Sequence, residues 1–284
     1  MITGELTWPQ FRTLDSIRNL NENQQMEHYY KYLVELNEWI MHQNKGDLIT
    51  QIITCADGMD IVFLVDYTGS MGGALNAIKS AIASIVSTIV TESANNYRLG
   101  LVLFDEYTSG TTSNYSSKTA YTSLPSSQKY INTGLGGKYQ WITAMEILSQ
   151  NNQSTFSTQL NLLNDSVNFP LGSGQNIPEP SDMGVDRIVN YDLVGAFRND
   201  VSKLIILITD ATPSGDDDAT NATDTAFIDT LVTDCNAQGI KVLLMKQSAA
   251  SVAPLETLAL NTGGLISPSF TPSAIISSIQ NICV

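Results

Sequence analysis

The chain has 284 residues, a formal net charge of −14 and a sequence pI of about 4.3. That length suits one large domain, or one domain with an appendage, and the acidity argues against a nucleic-acid partner, which calls for basic patches. Charged residues make up 15%, below the ~25% usual for globular chains. Ser, Thr and Asn take their place, a surface commoner in secreted or particle-bound proteins than in cytosolic enzymes.

Residues 1–20 carry Glu5, Arg12, Asp15 and Arg18 and no apolar run, so no signal peptide is expected. No stretch approaches the ~18 apolar residues of a membrane span. Cys55, Cys235 and Cys283 are too few for a disulfide framework. Sequons at Asn114, Asn152, Asn164 and Asn221 read as chance in an Asn/Ser/Thr-rich chain. The compartment stays open between a virion or extracellular particle and the cytoplasm.

Residues 1–54 read as an N-terminal helical segment. Asn21 can cap a helix running to about Asn44, with Gly46 as its stop. Met26, Tyr29, Tyr30, Leu33, Leu36 and Ile40 recur at three- and four-residue steps beside Trp39, a wide apolar stripe. The stripe either packs back on the main domain or docks another chain of a larger assembly. His28 and His42 lie here without metal-ligand company.

Residues 55–284 alternate strands and helices. Ile61–Val65 is a short β-branched run, as expected of a strand buried on both faces. Leu75, Ile78, Ile82, Ile85 and Ile89 mark a helix, and Tyr97–Phe104 the next strand. Residues 106–170 are polar and resist assignment; within them Gly134–Leu148 reads as a strand or short helix on an elaborated sheet edge. A helix is predicted over 181–198, a buried strand over Lys203–Thr209 and a helix over 222–238 with Phe227, Leu231 and Cys235 on one face. A strand over Ile240–Met245, a helix around Leu255–Leu260 and a closing helix with Ile275, Ile276, Ile279 and Ile282 complete the pattern. The fold class is therefore α/β, a doubly wound and mostly parallel sheet flanked by helices.

The first strand ends in Asp66-Tyr67-Thr68-Gly69-Ser70. Asp66, Thr68 and Ser70 thus share one loop at the C-terminal edge of a central strand, where open α/β sheets bind ligands. One carboxylate and two hydroxyls suit a hard divalent cation that keeps some of its waters. This D-x-[ST]-x-S pattern after a hydrophobic strand resembles the metal-ion-dependent adhesion site of von Willebrand factor A domains and integrin inserted domains.

Two further loops extend the resemblance. Gly172–Pro180, GSGQNIPEP, is similar to a G-G-G-D-x-P-E-P loop of one branch of the family, with one residue more and with Asn176 where that branch has Asp. The resemblance implies a metal contact from this loop through Asn176, with Glu179 as competitor. LIILITDATP looks like the family's fourth strand and implies a metal role for Asp210, usually through water. The closing LALNTGGLISPSF resembles the last helix–strand turn, so the matches run from about residue 57 to 283. The implied ion is Mg²⁺, or Mn²⁺ or Ca²⁺, and the implied partner is a protein presenting Asp or Glu to it. Tyr139 and Trp141 are candidate partner contacts on the rim. In several extracellular members a disulfide joins the two ends of the domain, which implies that Cys55 and Cys283 lie close together.

Other readings compete. A haloacid-dehalogenase-like phosphatase would use Asp66 as nucleophile, with Asp210 or Asp216 holding magnesium, but no Lys-bearing loop stands in the right place. The aspartic-protease signature D-T-G-S is interrupted by Tyr67, and G-x-G-x-x-G is absent after the first strand. Asp216, Asp217 and Asp218 read as a solvated turn. The sequence thus points to a non-enzymatic, metal-dependent protein-binding module of adhesion type, mounted on an assembly such as a virion or contractile-tail particle. A metal-independent structural component is the other alternative.

Overall fold

The computed structural model describes residues 54–284 except 109–110, 136–137, 173, 175–177, 215–218, 247–251, 268, 270 and 284, and describes 14, 17–21, 24–25, 28–29 and 31–32 near the N-terminus. The chain divides into two units, Met1–Ile52 and Ile53–Val284. In the first, the Asn21 side chain accepts from the Gln24 amide at 3.0 Å and the Gln24 side chain accepts from the Asn21 amide at 3.2 Å. That reciprocal pair is a capping box, and the described residues after it are helical. Gln25 is buried, its amide donating to the carbonyls of Ile17 and Leu20. His28 is exposed. His42 and the stripe residues Met26, Tyr30, Leu33, Leu36, Trp39 and Ile40 lie outside the described residues.

The second unit is built on a seven-stranded sheet. Its strands are β1 (Met59–Asp66), β2 (Tyr97–Thr108), β3 (Lys129–Leu135), β4 (Lys138–Gln150), β5 (Ser202–Thr209), β6 (Ile240–Lys246) and β7 (Leu265–Ser267), in the spatial order β3-β4-β2-β1-β5-β6-β7. β2, β1, β5, β6 and β7 run parallel, while β4 is antiparallel to both β2 and β3. The α/β class and the mostly parallel sheet agree with the pattern in the sequence. Every residue of β1 is buried, as a strand at the centre of a two-sided sheet requires.

Two apolar layers cover the sheet. On one face α1 (Gly72–Glu92), α2 (Gln153–Leu162) and α6 (Pro272–Ile282) pack on Ile61, Phe63 and Val65 of β1. On the other α3 (Ser181–Asn190), α4 (Ala222–Gln238) and α5 (Ala253–Asn261) pack on Val62 and Leu64. The α1 residues Ile78, Ile82, Ile85 and Ile89 are all buried on one side, each contributing ~1.5–3 kcal/mol of burial. Cys235 is a buried core thiol on α4.

One predicted element needs correction and another is narrowed to strand. The helix predicted over 181–198 ends at Asn190. Asp192 at φ 51° and Gly195 at φ 81° turn the chain back, which brings Arg198 onto Asp60. The stretch around 134–148 lies largely in a β-hairpin, β3–β4, placed on the outer edge.

At the N-terminal edge, Asp60 is fully buried and receives Arg98 Nε at 2.9 Å, Arg198 Nε at 2.9 Å and the Arg198 amide at 2.8 Å. Cys55 and Cys283 form a disulfide with Cα atoms 5.2 Å apart, the proximity that the family resemblance implied. It closes the entry of the domain onto the end of α6.

Candidate metal centre

β1 lies between β2 and β5, so its C-terminal end opens where connections leave in opposite directions, the usual ligand crevice of such sheets. The parallel register sets Val65 opposite Ile208, which brings Asp66 beside Thr209. Asp66 is fully buried. Its Oδ1 accepts from the Thr68 amide at 3.0 Å and the Thr68 hydroxyl at 2.7 Å, and its Oδ2 accepts from the Thr209 hydroxyl at 2.7 Å. Burial pushes the Asp66 carboxyl up to about 6 against these hydrogen bonds, and the nearby Asp210 charge adds to the rise.

A 3₁₀ turn over Gly69–Met71 follows, closed by the Met71 amide on the Thr68 carbonyl at 3.1 Å. It lifts Ser70 so that Ser70 Oγ lies 3.3 Å from Thr68 Oγ1 and donates to Asp210 Oδ1 at 3.2 Å. Each hydroxyl proton then has a carboxylate: Thr68 gives its proton to Asp66, Ser70 to Asp210. The hydroxyl lone pairs are what remains, and they lie side by side. Adjacent ligands of an octahedral ion with ~2.1 Å arms are about 3 Å apart, so the spacing of these oxygens fits such an ion. The donor set, two hydroxyls backed by two carboxylates, is that of a hard cation. No cluster of three or more His, Cys, Asp or Glu side chains forms among the described residues; among them, the Thr68 and Ser70 hydroxyls supply the paired oxygens of this site.

The second loop is threaded with no clearance. The Gly172 amide donates to the Tyr67 carbonyl at 2.9 Å, and a Cβ on Gly172 would fall 1.9 Å from Asp105 Oδ2. Gly174 is left-handed at φ 53°, and a Cβ there would lie 2.8 Å from Thr68 Cβ and 3.1 Å from Glu179 Oε1. Glu179, which is buried, therefore flanks Thr68 across this glycine. It also ties the second loop to the third: its amide donates to the Thr212 carbonyl at 2.9 Å, and its carbonyl accepts from Ser214 at 3.1 Å. Burial drives the Asp105 carboxyl well above its ordinary range, Asp66 adding to the rise.

Of the residues expected at the site, Asp66, Thr68, Ser70 and Asp210 are thus brought together, with Glu179 alongside. Asn176 and Asp216 lie outside the described residues. Trp141 needs correction as a partner contact: it is 6% exposed and packs edge-on against Tyr107 and Tyr115 in the core. β4 is covered on both faces here, with Gln140, Trp141 and Ile142 all buried, while Tyr139 is half-buried against the same cluster as Trp141. Two contributors were not anticipated. Thr209 anchors Asp66; its hydroxyl beside the terminal Asp of a buried strand was the available signal. Tyr67 is buried, its hydroxyl donating to the Phe169 carbonyl at 2.7 Å and accepting from the Asn164 amide at 2.9 Å.

Fold and site together define an α/β domain with three loops converging at the C-terminal edge of a mostly parallel sheet and presenting an oxygen-lined cluster there. No protein-family model and no curated protein sequence matches the chain. Among solved structures it is similar to proximal thread matrix protein 1 from the mussel byssus in two crystal structures, at 16% and 15% identity with TM-scores of 0.48 and 0.47. The alignments cover 79% of this chain and 47% and 46% of the byssus protein, so this chain spans less than half of that protein's length.

Proposed function

We propose that this chain is a protein-binding module of adhesion type whose contact is completed by a divalent cation, Mg²⁺ in the first instance. The observation that carries the reading is the Ser70 hydroxyl, set between Thr68 Oγ1 and Asp210 Oδ1 with its proton directed at the carboxylate. Thr68 and Ser70 would hold the ion directly, while Asp66 and Asp210 balance its charge and orient the hydroxyls. An Asp or Glu of a protein partner would fill an open position in a charge-assisted, metal-dependent contact.

The phosphatase reading fits less well. An attacking carboxylate needs an accessible lone pair, whereas Asp66 is fully buried and both its oxygens already accept hydrogen bonds. The test is calorimetric titration of the wild type and Asp66→Ala with Mg²⁺ and Mn²⁺. Binding by the wild type and its loss in Asp66→Ala are expected; no binding by the wild type at millimolar ion would reduce the domain to a metal-independent interaction or structural part. Release of phosphate from a generic ester, abolished by the same substitution, would instead revive the enzyme.

A further inference from the structure

The turn on which Tyr67 rests also forms one wall of a groove of about 390 Å³, lined by Lys118, Ala120, Leu162, Val167 and Asn168 among others. Its apolar side is Ala120 and Leu162, both packed on the core beneath. Val167 stands at its lip, 69% exposed. Local bonding holds this valine in place. Asp165 Oδ1 accepts from the Val167 and Asn168 amides at 2.9 and 3.0 Å, and Lys79 Nζ donates to the Leu163 carbonyl at 2.7 Å. Val167 is therefore an apolar group displayed on a stapled turn.

The charge around the groove runs against that of the chain. The whole chain carries −14, yet Lys118 lines the groove and Lys79 reaches the Leu163 carbonyl beside it, against the carboxylate of Asp165, whose oxygens are taken up by the Val167 and Asn168 amides and the Asn168 side chain. Lys118 has no carboxylate partner among the described residues. An acidic segment is repelled by most of this surface and attracted here and at a bound cation. These two places are mechanically joined: Tyr67 lies between Asp66 and Thr68, and its hydroxyl bonds both Asn164 and Phe169, the ends of the groove turn.

We propose that this groove takes an extended acidic segment of the protein partner, an aliphatic side chain seating against Leu162, Ala120 and Val167 and a carboxylate pairing with Lys118. The assignment rests on the metal-assisted reading for the partner's acidity, but its test separates the two. The probe is a short fluorescein-labelled peptide alternating aspartate and leucine, with a lysine–leucine peptide as control. Anisotropy should report binding of the acidic peptide to the wild type in Mg²⁺. Lys118→Glu and Val167→Asp, both surface changes whose folding is checked by thermal melting, should each weaken it about tenfold while leaving the calorimetric Mg²⁺ titration unchanged. If Mg²⁺ does not bind but the acidic peptide still does so in a Lys118-dependent way, the groove stands and the metal reading falls. Equal binding of the lysine peptide, indifference to both substitutions, or no binding of the acidic peptide at millimolar concentration would overturn the groove.

Discussion

Thr209 donates its hydroxyl to Asp66 Oδ2 at 2.7 Å from the neighbouring strand, so the carboxylate that organises the first loop is fixed by a residue 143 positions away. The same hydroxyl accepts the Ala211 amide at 3.1 Å, which couples Asp66 to the loop carrying Asp210. Thr209→Val keeps the shape and removes both bonds. The expected result is a fold that survives and a Mg²⁺ affinity lowered about tenfold or more, as for loss of a ligand's supporting partner. Calorimetry beside a thermal melt reads the two effects separately; an unchanged affinity would show that Asp66 needs no support.

Gly172 is where the second loop passes over Asp105. With the Cβ position 1.9 Å from Asp105 Oδ2, Gly172→Ala must push the loop or the buried carboxylate aside, at about 1–3 kcal/mol. Asp105→Ala makes room, so the double variant should be less destabilised than the sum of the single changes. Denaturant unfolding of the four proteins gives the coupling directly, and additive losses would mean that the loop yields without meeting Asp105.

How much of this was legible depended on whether a residue's surroundings are local. Ile61–Val65 announced a central strand because both faces of β1 are buried and the apolar run is unbroken. Asp66, Thr68 and Ser70 announced themselves by spacing within one loop. The β3–β4 edge was legible only as a strand or short helix on an elaborated sheet edge, because its strands mix polar and apolar residues; that β4 is covered on both faces, with Gln140, Trp141 and Ile142 all buried, comes from elements distant in the chain. The early end of α3 was hidden for a related reason: Val194 and Phe197 continue an apolar pattern but join the core from an irregular segment. Thr209 and Asp105 act through strand register and loop approach, which no window along the chain contains.

The Cys55–Cys283 disulfide spans 228 positions. In the chain-entropy model a loop of that size is worth about 5 kcal/mol. Reduction, or Cys55→Ser, is expected to lower the denaturant midpoint markedly and to free α6 from the start of the domain. Because the bond lies at the domain's ends, Mg²⁺ affinity measured well below the melting temperature should not change. A midpoint insensitive to reductant would show that packing of Ile275 and Ile279 already holds α6.

Asp60 makes a prediction for acid pH. Desolvation raises its carboxyl, but hydrogen bonds from Arg98 and Arg198 outweigh this and leave it below its ordinary value of 3.8. A depressed carboxyl stabilises the fold above the unfolded-state value and loses that stabilisation as pH falls through the folded-state value. The contribution of Asp60 is therefore complete above about pH 4 and drains away below it. Asp60→Asn keeps the volume but leaves two partly buried guanidinium groups without their anion, a loss of about 3 kcal/mol near neutrality. The wild type should thus fall more steeply than the variant as pH drops from 4 toward 2, and the two stabilities should converge. Urea unfolding across that range measures the difference, and parallel curves would show that Arg98 and Arg198 do not depend on the Asp60 charge.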